Sequence, residues 1–378
     1  MLGTHTRLAA AVAVVSILNP AAFAAKKKKK GEEEITQTLE VLPDPPFAVK
    51  ADASRLVFHT SPLTSKGLLS QQVRDSIKAL WRANQGATIV KIRALVAGTG
   101  DLRRVSAIVS EMFTEKRLPL PAVSTIQVGG LGTVGAQVVL EATSVAKRPA
   151  NPDGLVFVSG KGASSKITPE TPTAAMTPLA VKSMTDLRTA LEAVQSTSAD
   201  VRRVTCFLSS LDDLADVQRL FYREFPQAVF TYAQTQRSPA SHVVECEATA
   251  KLNANPGVKW KVVNPPTLRS SPAYSQLAVA GPGPLLLTGT QLAFRTQESD
   301  VRLAFDRLKA ALEQHGTSTK NVFWSGIYSL SQTATDRIRA VRMDYYDKAA
   351  PPASTLMQFE GLPSLDASFA VEVIAGIP

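Results

Sequence analysis

Val139-Leu140-Glu141-Ala142-Thr143, Glu245-Cys246-Glu247-Ala248-Thr249 and Val371-Glu372-Val373-Ile374-Ala375 close three copies of one pattern. The copies lie near residues 45–146, 153–251 and 270–376. Ahead of each closing strand the pattern is the same: an apolar strand, an amphipathic helix, a β-rich strand, a second helix and a further strand. Repetition at a fixed period decides architecture before any local motif does. A period of about a hundred residues implies tandem domains, because each unit is large enough to bury part of its own core. The fold class expected is therefore α/β (α+β), with three tandem β-α-β-α-β modules, each a sheet covered by two helices. Their expected bounds are 45–148, 149–251 and 270–378, with a linker at 252–269.

Within each copy the periodicities agree with that order. Val73, Ile77, Leu80 and Trp81 recur at helical spacing in the helix expected at 70–84. Ile89 to Val96 alternates as a strand does, and Pro119 and Pro121 end the second helix of copy one. Two strands are expected to meet at Ala53-Ser54. In copy two, residues 161–180 read as a long loop rich in Pro, Thr and Ser, followed by a helix at 184–195. Copy three is the fullest, with helices expected at 298–315 and 334–346.

The chain has 378 residues, of which 44% are hydrophobic and 20% charged, an ordinary globular balance. Its one long apolar run, Leu8 to Leu18, is too short to span a bilayer comfortably and precedes Ala22-Phe23-Ala24. Residues 1–25 therefore read as a signal peptide cleaved near Ala24 or Ala25, which implies an exported, periplasmic or secreted protein without stable membrane insertion. Lys26 to Lys30 form a basic block followed by Glu32-Glu33-Glu34, and residues 26–44 read as a charged linker. Net charge is +10, but outside that block the basic excess is modest and scattered. A dedicated nucleic-acid binder would gather it on one face.

Cys206 and Cys246 both fall in strands of copy two. A disulfide requires those strands to be neighbours; the reading favoured is two buried thiols packing as small apolar groups. His5, His59, His242 and His315 are scattered, and no Cys/His cluster has metal-ligand spacing, so neither metal nor cofactor is expected.

Pro272-Ala273-Tyr274-Ser275-Gln276 resembles the Gly-Pro-Tyr-Ser-Gln opening of the reactive-intermediate (imine/enamine) deaminases, also called the YjgF or L-PSP family. Val158-Ser159-Gly160, Leu287-Thr288-Gly289 and Pro121-Ala122-Val123-Ser124-Thr125 are similar to further family motifs, and the resemblance runs from about residue 44 to the end. It implies modules resembling chorismate mutase, which elsewhere form homotrimers with ligand clefts between subunits. Three modules in one chain would then close as a single-chain pseudo-trimer, with no second chain required.

The resemblance also implies site residues. Family deaminases carry an arginine after Pro-Ala that holds the substrate carboxylate, a task suited to its planar fork. Here the positions read as Val123, Val229 and Ser354. Glu141, Glu247 and Glu372 match the catalytic carboxylate that helps position water; alternatively they are strand acids satisfied by neighbours. Tyr274 matches the cleft tyrosine, or it is a ring packed at a module boundary. Thr288 and Ser159 match a substrate-binding hydroxyl, with His59 or Thr60 nearby in copy one. Arg339 matches a polar cleft position on the second helix, with Ser106 and Gln218 as its counterparts, or it is a solvated helix arginine. The first reading of function is thus a pseudo-trimer with degenerate deaminase clefts that binds a small metabolite or serves as a scaffold. The second is an imine/enamine deaminase (a hydrolase) with a non-standard anchor, and the third is nucleic-acid binding.

Overall fold

The computed structural model describes residues 41–170, 175–237 and 240–378. The expected signal peptide and the Lys26–Lys30 arm lie outside the described residues.

The first third contains β1 (Ala48–Asp52), β2 (Leu56–Thr60), α1 (Leu69–Ala83), β3 (Thr88–Ala97), α2 (Arg103–Glu115), β4 (Ala122–Val128), β5 (Gly130–Leu131) and β6 (Val138–Val145). The middle contains β7 (Leu155–Lys166), α3 (Met176–Glu192), β8 (Val201–Leu208), α4 (Leu214–Glu224), β9 (Val229–Gln234) and β10 (Ser241–Lys251). The last third contains β11 (Trp260–Val263), β12 (Leu277–Ala280), β13 (Pro284–Thr288), β14 (Gln291–Phe294), α5 (Glu298–Gln314), β15 (Val322–Ser329), α6 (Gln332–Val341), β16 (Ala353–Gln358) and β17 (Ala367–Gly376).

One strand order occurs three times: β2-β6-β3-β4, β7-β10-β8-β9 and β13-β17-β15-β16. In each, the last pair is parallel and the others are antiparallel. The leading strands are exchanged between sheets. A 3-10 turn at Ala53–Arg55, capped by Asp52, separates β1 from β2, so the two do not form the expected hairpin. Instead β1 pairs with β13 of the third sheet, and β12 pairs with β7 of the second. Part of the segment read as linker, β11, adds to β12. Residues 161–166, read as loop, extend β7 because Lys161–Lys166 find partners on Cys246–Ser241 of β10. The helix that follows accordingly starts earlier, at Met176.

Alternation along the strands assigns each sheet two buried faces. On β3, Ile92, Ala94 and Val96 face α1 and α2, where Val73, Ile77 and Leu80 complete the core. Val204, Cys206, Val244 and Cys246 do the same beneath α3 and α4, and Val371 and Val373 beneath α5 and α6. Cys206 and Cys246 stand directly opposite each other on antiparallel strands and form a disulfide, correcting the expectation of free thiols. Register, which places their Cα atoms 4.1 Å apart, supplied what spacing in the chain could not.

The other faces of the three sheets turn toward one another. Two apolar clusters draw on all three sheets: Phe58, Phe157 and Leu287 in one, Leu95, Phe207 and Tyr328 in the other. The sheets also meet in a cycle, β2 against β9, β7 against β16 and β13 against β4.

Candidate functional site: a closed centre and an open cleft

Charged side chains of the inward faces gather at the centre, between the two apolar clusters. Glu141, Glu247 and Glu372 occupy matching places on β6, β10 and β17, opposite Arg93, Thr205 and Gly326 respectively. Arg93 lies among all three carboxylates. Its Nε donates to Glu141 Oε2 at 2.6 Å, and its Nη1 is 3.9 Å from Glu372 Oε1. Its Nη2 stands 2.7 Å from Glu247 Oε1. Neither Glu247 oxygen accepts a hydrogen bond of good geometry, so that pair is held by charge and not by a directed bond. Thr205 Oγ1 donates to Glu141 Oε1 at 2.5 Å, and Tyr328 OH donates to Glu372 Oε1 at 2.5 Å. Lys91 Nζ lies 2.6 Å from Glu372 Oε2 and donates to the Thr288 carbonyl and to Ser124 Oγ, which in turn donates to Glu372.

Burial opposes the charge on Arg93, Glu141 and Glu372, but pairing outweighs it, whereas desolvation leaves the Lys91 ammonium below its ordinary range despite Glu372 beside it. Against the cost of desolvation, Lys91 and Arg93 pull the Glu372 carboxyl down to about 2. Glu141 is likewise held below the ordinary carboxylate range against burial, chiefly by Arg93 and Arg203. The adjoining cavity, lined by Phe58, Arg203, Thr288 and Trp324 among others, measures ≈ 30 Å³, room for little beyond water. Thr288 Oγ1 accepts from the Val373 amide at 2.9 Å, so that hydroxyl is committed to the backbone.

The three junctions between sheets differ. At β13 against β4, a Cβ on Gly289 would stand 2.7 Å from the Val123 carbonyl, and the backbones close the gap. At β2 against β9, Thr60 Oγ1 meets Thr231 Oγ1 at 3.4 Å, and β5 extends the sheet by pairing with β9. At β7 against β16 a cleft of ≈ 410 Å³ opens, lined by Gly160, Glu245, Arg269, Tyr274, Arg339, Arg342 and Ser354, among others.

Tyr274 and Arg339 therefore share this cleft. Arg339 is at its exposed rim, 3.6 Å from Asp336, while Arg342 is buried within. Arg342 Nη2 donates to the Ala273 carbonyl at 2.8 Å and Nη1 to Ser354 Oγ at 3.3 Å, while its buried Nε has no partner. Ser159 lies beneath, buried, receiving the Ser354 amide at 3.0 Å and donating to the Ser275 carbonyl; it fastens β7 to the third sheet. Glu141, Glu247 and Glu372 are not among the cleft's lining residues. The carboxylate that lines it is Glu245, two residues before Glu247 and on the same face of β10. Burial, and Glu247 beside it, push the Glu245 carboxyl up to about 8.

Register revises one expected position. Ser124, Thr231 and Thr355 are equivalent across the parallel pairs, so the residue matching Val123 and Ser354 is Phe230, not Val229. The β9-to-β10 connection is one residue shorter than its counterparts, which counting back from the glutamate did not reveal. None of the three is arginine; the guanidinium beside Ser354 comes from Arg342, the residue that caps the end of α6. Of the inward-facing groups, sequence reasoning missed Lys91, Arg93, Arg342 and Glu245. The signal for Glu245 was present: the other copies carry Val139 and Ala370 at that place.

Among the described residues, no group of three or more His, Cys, Asp or Glu is placed to hold a metal ion. No described helix is long and apolar enough to cross a membrane. No curated protein matches the chain. Several solved structures are similar to part of it. A Rid-family protein of unknown function, YyfB of Yersinia pestis, is 20% identical over 32% of this chain and 100% of its own, with a TM-score of 0.30. RidA of Psychrobacter sp. PAMC 21119 is 20% identical over 25% of this chain and 80% of its own, with a TM-score of 0.23. E. coli TdcF, solved with bound serine, is 19% identical over 25% of this chain and 81% of its own, with a TM-score of 0.23. Residues 269–377 match the family model described as Endoribonuclease L-PSP, so the last third of the chain is similar to the L-PSP (YjgF/RidA-like) family.

Proposed function

We propose that the chain is an exported single-chain pseudo-trimer whose β7–β16 cleft binds a small carboxylate-bearing metabolite without hydrolysing it. The observation that carries this reading is Arg342. Its guanidinium is buried in the wall of the cleft, and its Nε lacks a partner inside the protein. A buried unpaired donor is costly, and a ligand oxygen would satisfy it. Three repeated strand orders and the cyclic junctions support the pseudo-trimer. Export rests on the N-terminal apolar run and small-residue site alone.

Loss of deaminase activity is the natural companion of this geometry. The strand glutamates are engaged at the centre, each beside Arg93 and away from the cleft, and Glu141 and Glu372, held below the ordinary carboxylate range, are poor bases. The wild-type chain and Arg342→Ala are to be titrated calorimetrically with 2-oxobutanoate, and ammonia release from freshly generated 2-iminobutanoate followed alongside. We expect saturable binding that weakens by at least about tenfold in Arg342→Ala, the worth of roughly one charged hydrogen bond. Ammonia release should match buffer. Turnover above buffer would replace the binding reading with the deaminase one; absence of any binding would remove both the ligand and its anchor.

A further inference from the structure

Glu245 is the second pole of the cleft. Its carboxylate lines the opening, yet it takes part in no hydrogen bond or ion pair within the described residues, although three arginines border the same space. The protein makes room for it: a Cβ on Gly160 would lie 2.0 Å from Glu245 Oε1, and one on Gly162 3.2 Å from Oε2. The places of Val139 and Ala370 in the other two sheets are apolar and join the shared core. An acid that replaces core-forming residues, is seated over two glycines and is left without a hydrogen-bond partner in the protein has the marks of a ligand contact.

Resting on the reading of Arg342 as a carboxylate anchor, we propose that the cleft selects an amino-carboxylic acid, its carboxylate on Arg342 and its protonated amine on Glu245. A simple acid uses the Arg342 pole alone, and a simple amine leaves the buried Arg342 Nε unanswered, so only a ligand carrying both groups satisfies both walls. The groups facing Glu245 are Gly160, Lys161 and Gly162 of β7, Glu247 of β10, Arg339 and Arg342 at the end of α6, and Arg269 and Tyr274 of the segment before β12. Lys161, itself lowered to about 7 by burial, donates to the Gln276 carbonyl at 2.9 Å and makes no hydrogen bond to Glu245, although its charge acts on that carboxyl.

Proton linkage distinguishes this pole from the first. At neutral pH the Glu245 carboxyl, raised to about 8, is mostly protonated in the empty cleft. Docking an ammonium favours the carboxylate, so one proton passes from Glu245 to the buffer as the ligand binds. Affinity for the amino acid must then rise about tenfold from pH 6 to pH 7 and level off above pH 8.

The test is calorimetry on the wild-type chain with glycine, 3-aminopropanoate, 4-aminobutanoate, 2-oxobutanoate and butylamine, in buffers of low and high protonation enthalpy. One of the amino acids should bind at least about tenfold tighter than 2-oxobutanoate, a gain of one charge-assisted contact, and butylamine should not bind. Its binding should release close to one proton at pH 7 and none at pH 9. In Glu245→Gln the advantage and the proton release should vanish while 2-oxobutanoate binds as before. If 2-oxobutanoate binds as tightly as every amino acid, the second pole is overturned and the carboxylate site stands. If nothing binds, both fall. The wild-type ligand series decides this even should the variant not fold.

Discussion

The molecule contains two places where carboxylates meet guanidinium groups away from bulk water, and they are built in opposite ways. At the centre, Glu141, Glu247 and Glu372 surround Arg93, with Lys91, Thr205, Tyr328 and Ser124 completing the contacts. In the cleft, Glu245 and Arg342 face the same space; Arg342 Nε is buried without a partner, and Glu245 makes no hydrogen bond within the described residues. The first arrangement is charge-paired and shut, so it serves the fold. The second is incomplete and open, so it is available to a ligand. Residue type does not separate the two; close charge pairing and access do.

The strongest way to break the comparison is to remove each cation in turn. Arg93→Met leaves two or three buried carboxylates facing one another, and urea denaturation should show a loss of about 3–5 kcal/mol, or no folded protein. Arg342→Met removes bonds to one carbonyl and one hydroxyl and should cost about 1–2 kcal/mol. Equal costs would mean that the centre and the cleft are not different in kind.

Acid sharpens the same contrast. The Glu372 carboxyl sits at about 2 in the folded chain against 4.5 for the free group. A depressed folded value stabilises above the unfolded pKa, and that stability is lost as pH falls through the window from 4.5 to about 2. The difference corresponds to about 3 kcal/mol, visible as a fall in denaturation midpoint across that window. Glu372→Gln should be less stable at neutral pH and show a flatter dependence below pH 4.5. An unchanged slope would show that Glu372 is not paired as described.

How much of this was legible beforehand varies with the physics involved. The sheets were legible because alternation is local: Val138, Leu140 and Ala142 read as one face and Glu141 as the other. What the second face would meet was not, since a strand such as Ile89 to Val96 marks Lys91 and Arg93 as polar without saying whether water or another sheet lies opposite. The exchange of β1 and β12 was hidden for a similar reason. A three-residue connection at Ala53–Arg55 permits a hairpin, and only the availability of a better edge on β13 decides against it. Cys206 and Cys246 required register, and the Val229 assignment failed by one residue where a connection shortened. Arg342 stood in a basic run with Arg337 and Arg339, and composition alone cannot tell which member turns inward.

The smallest structural change offers the finest discrimination. In Gly160→Ala the added methyl would meet Glu245 Oε1 at 2.0 Å, Cδ at 2.7 Å and Cγ at 2.8 Å, all atoms of one flexible side chain that must turn as a whole to clear it. The carboxylate can swing away, so the backbone need not move and stability should change by less than about 1 kcal/mol. Gly160 is not held at a positive φ, so alanine adds no backbone strain there. The Gly160 amide can keep its bond to Thr355 Oγ1, at 3.1 Å, and the junction of β7 with β16 stays in place. What should be lost is the amino-acid advantage over 2-oxobutanoate, measured by the same calorimetric titration. A cleft that served only as solvent-filled space between sheets would be indifferent to that methyl, whereas a seat shaped for Glu245 cannot be.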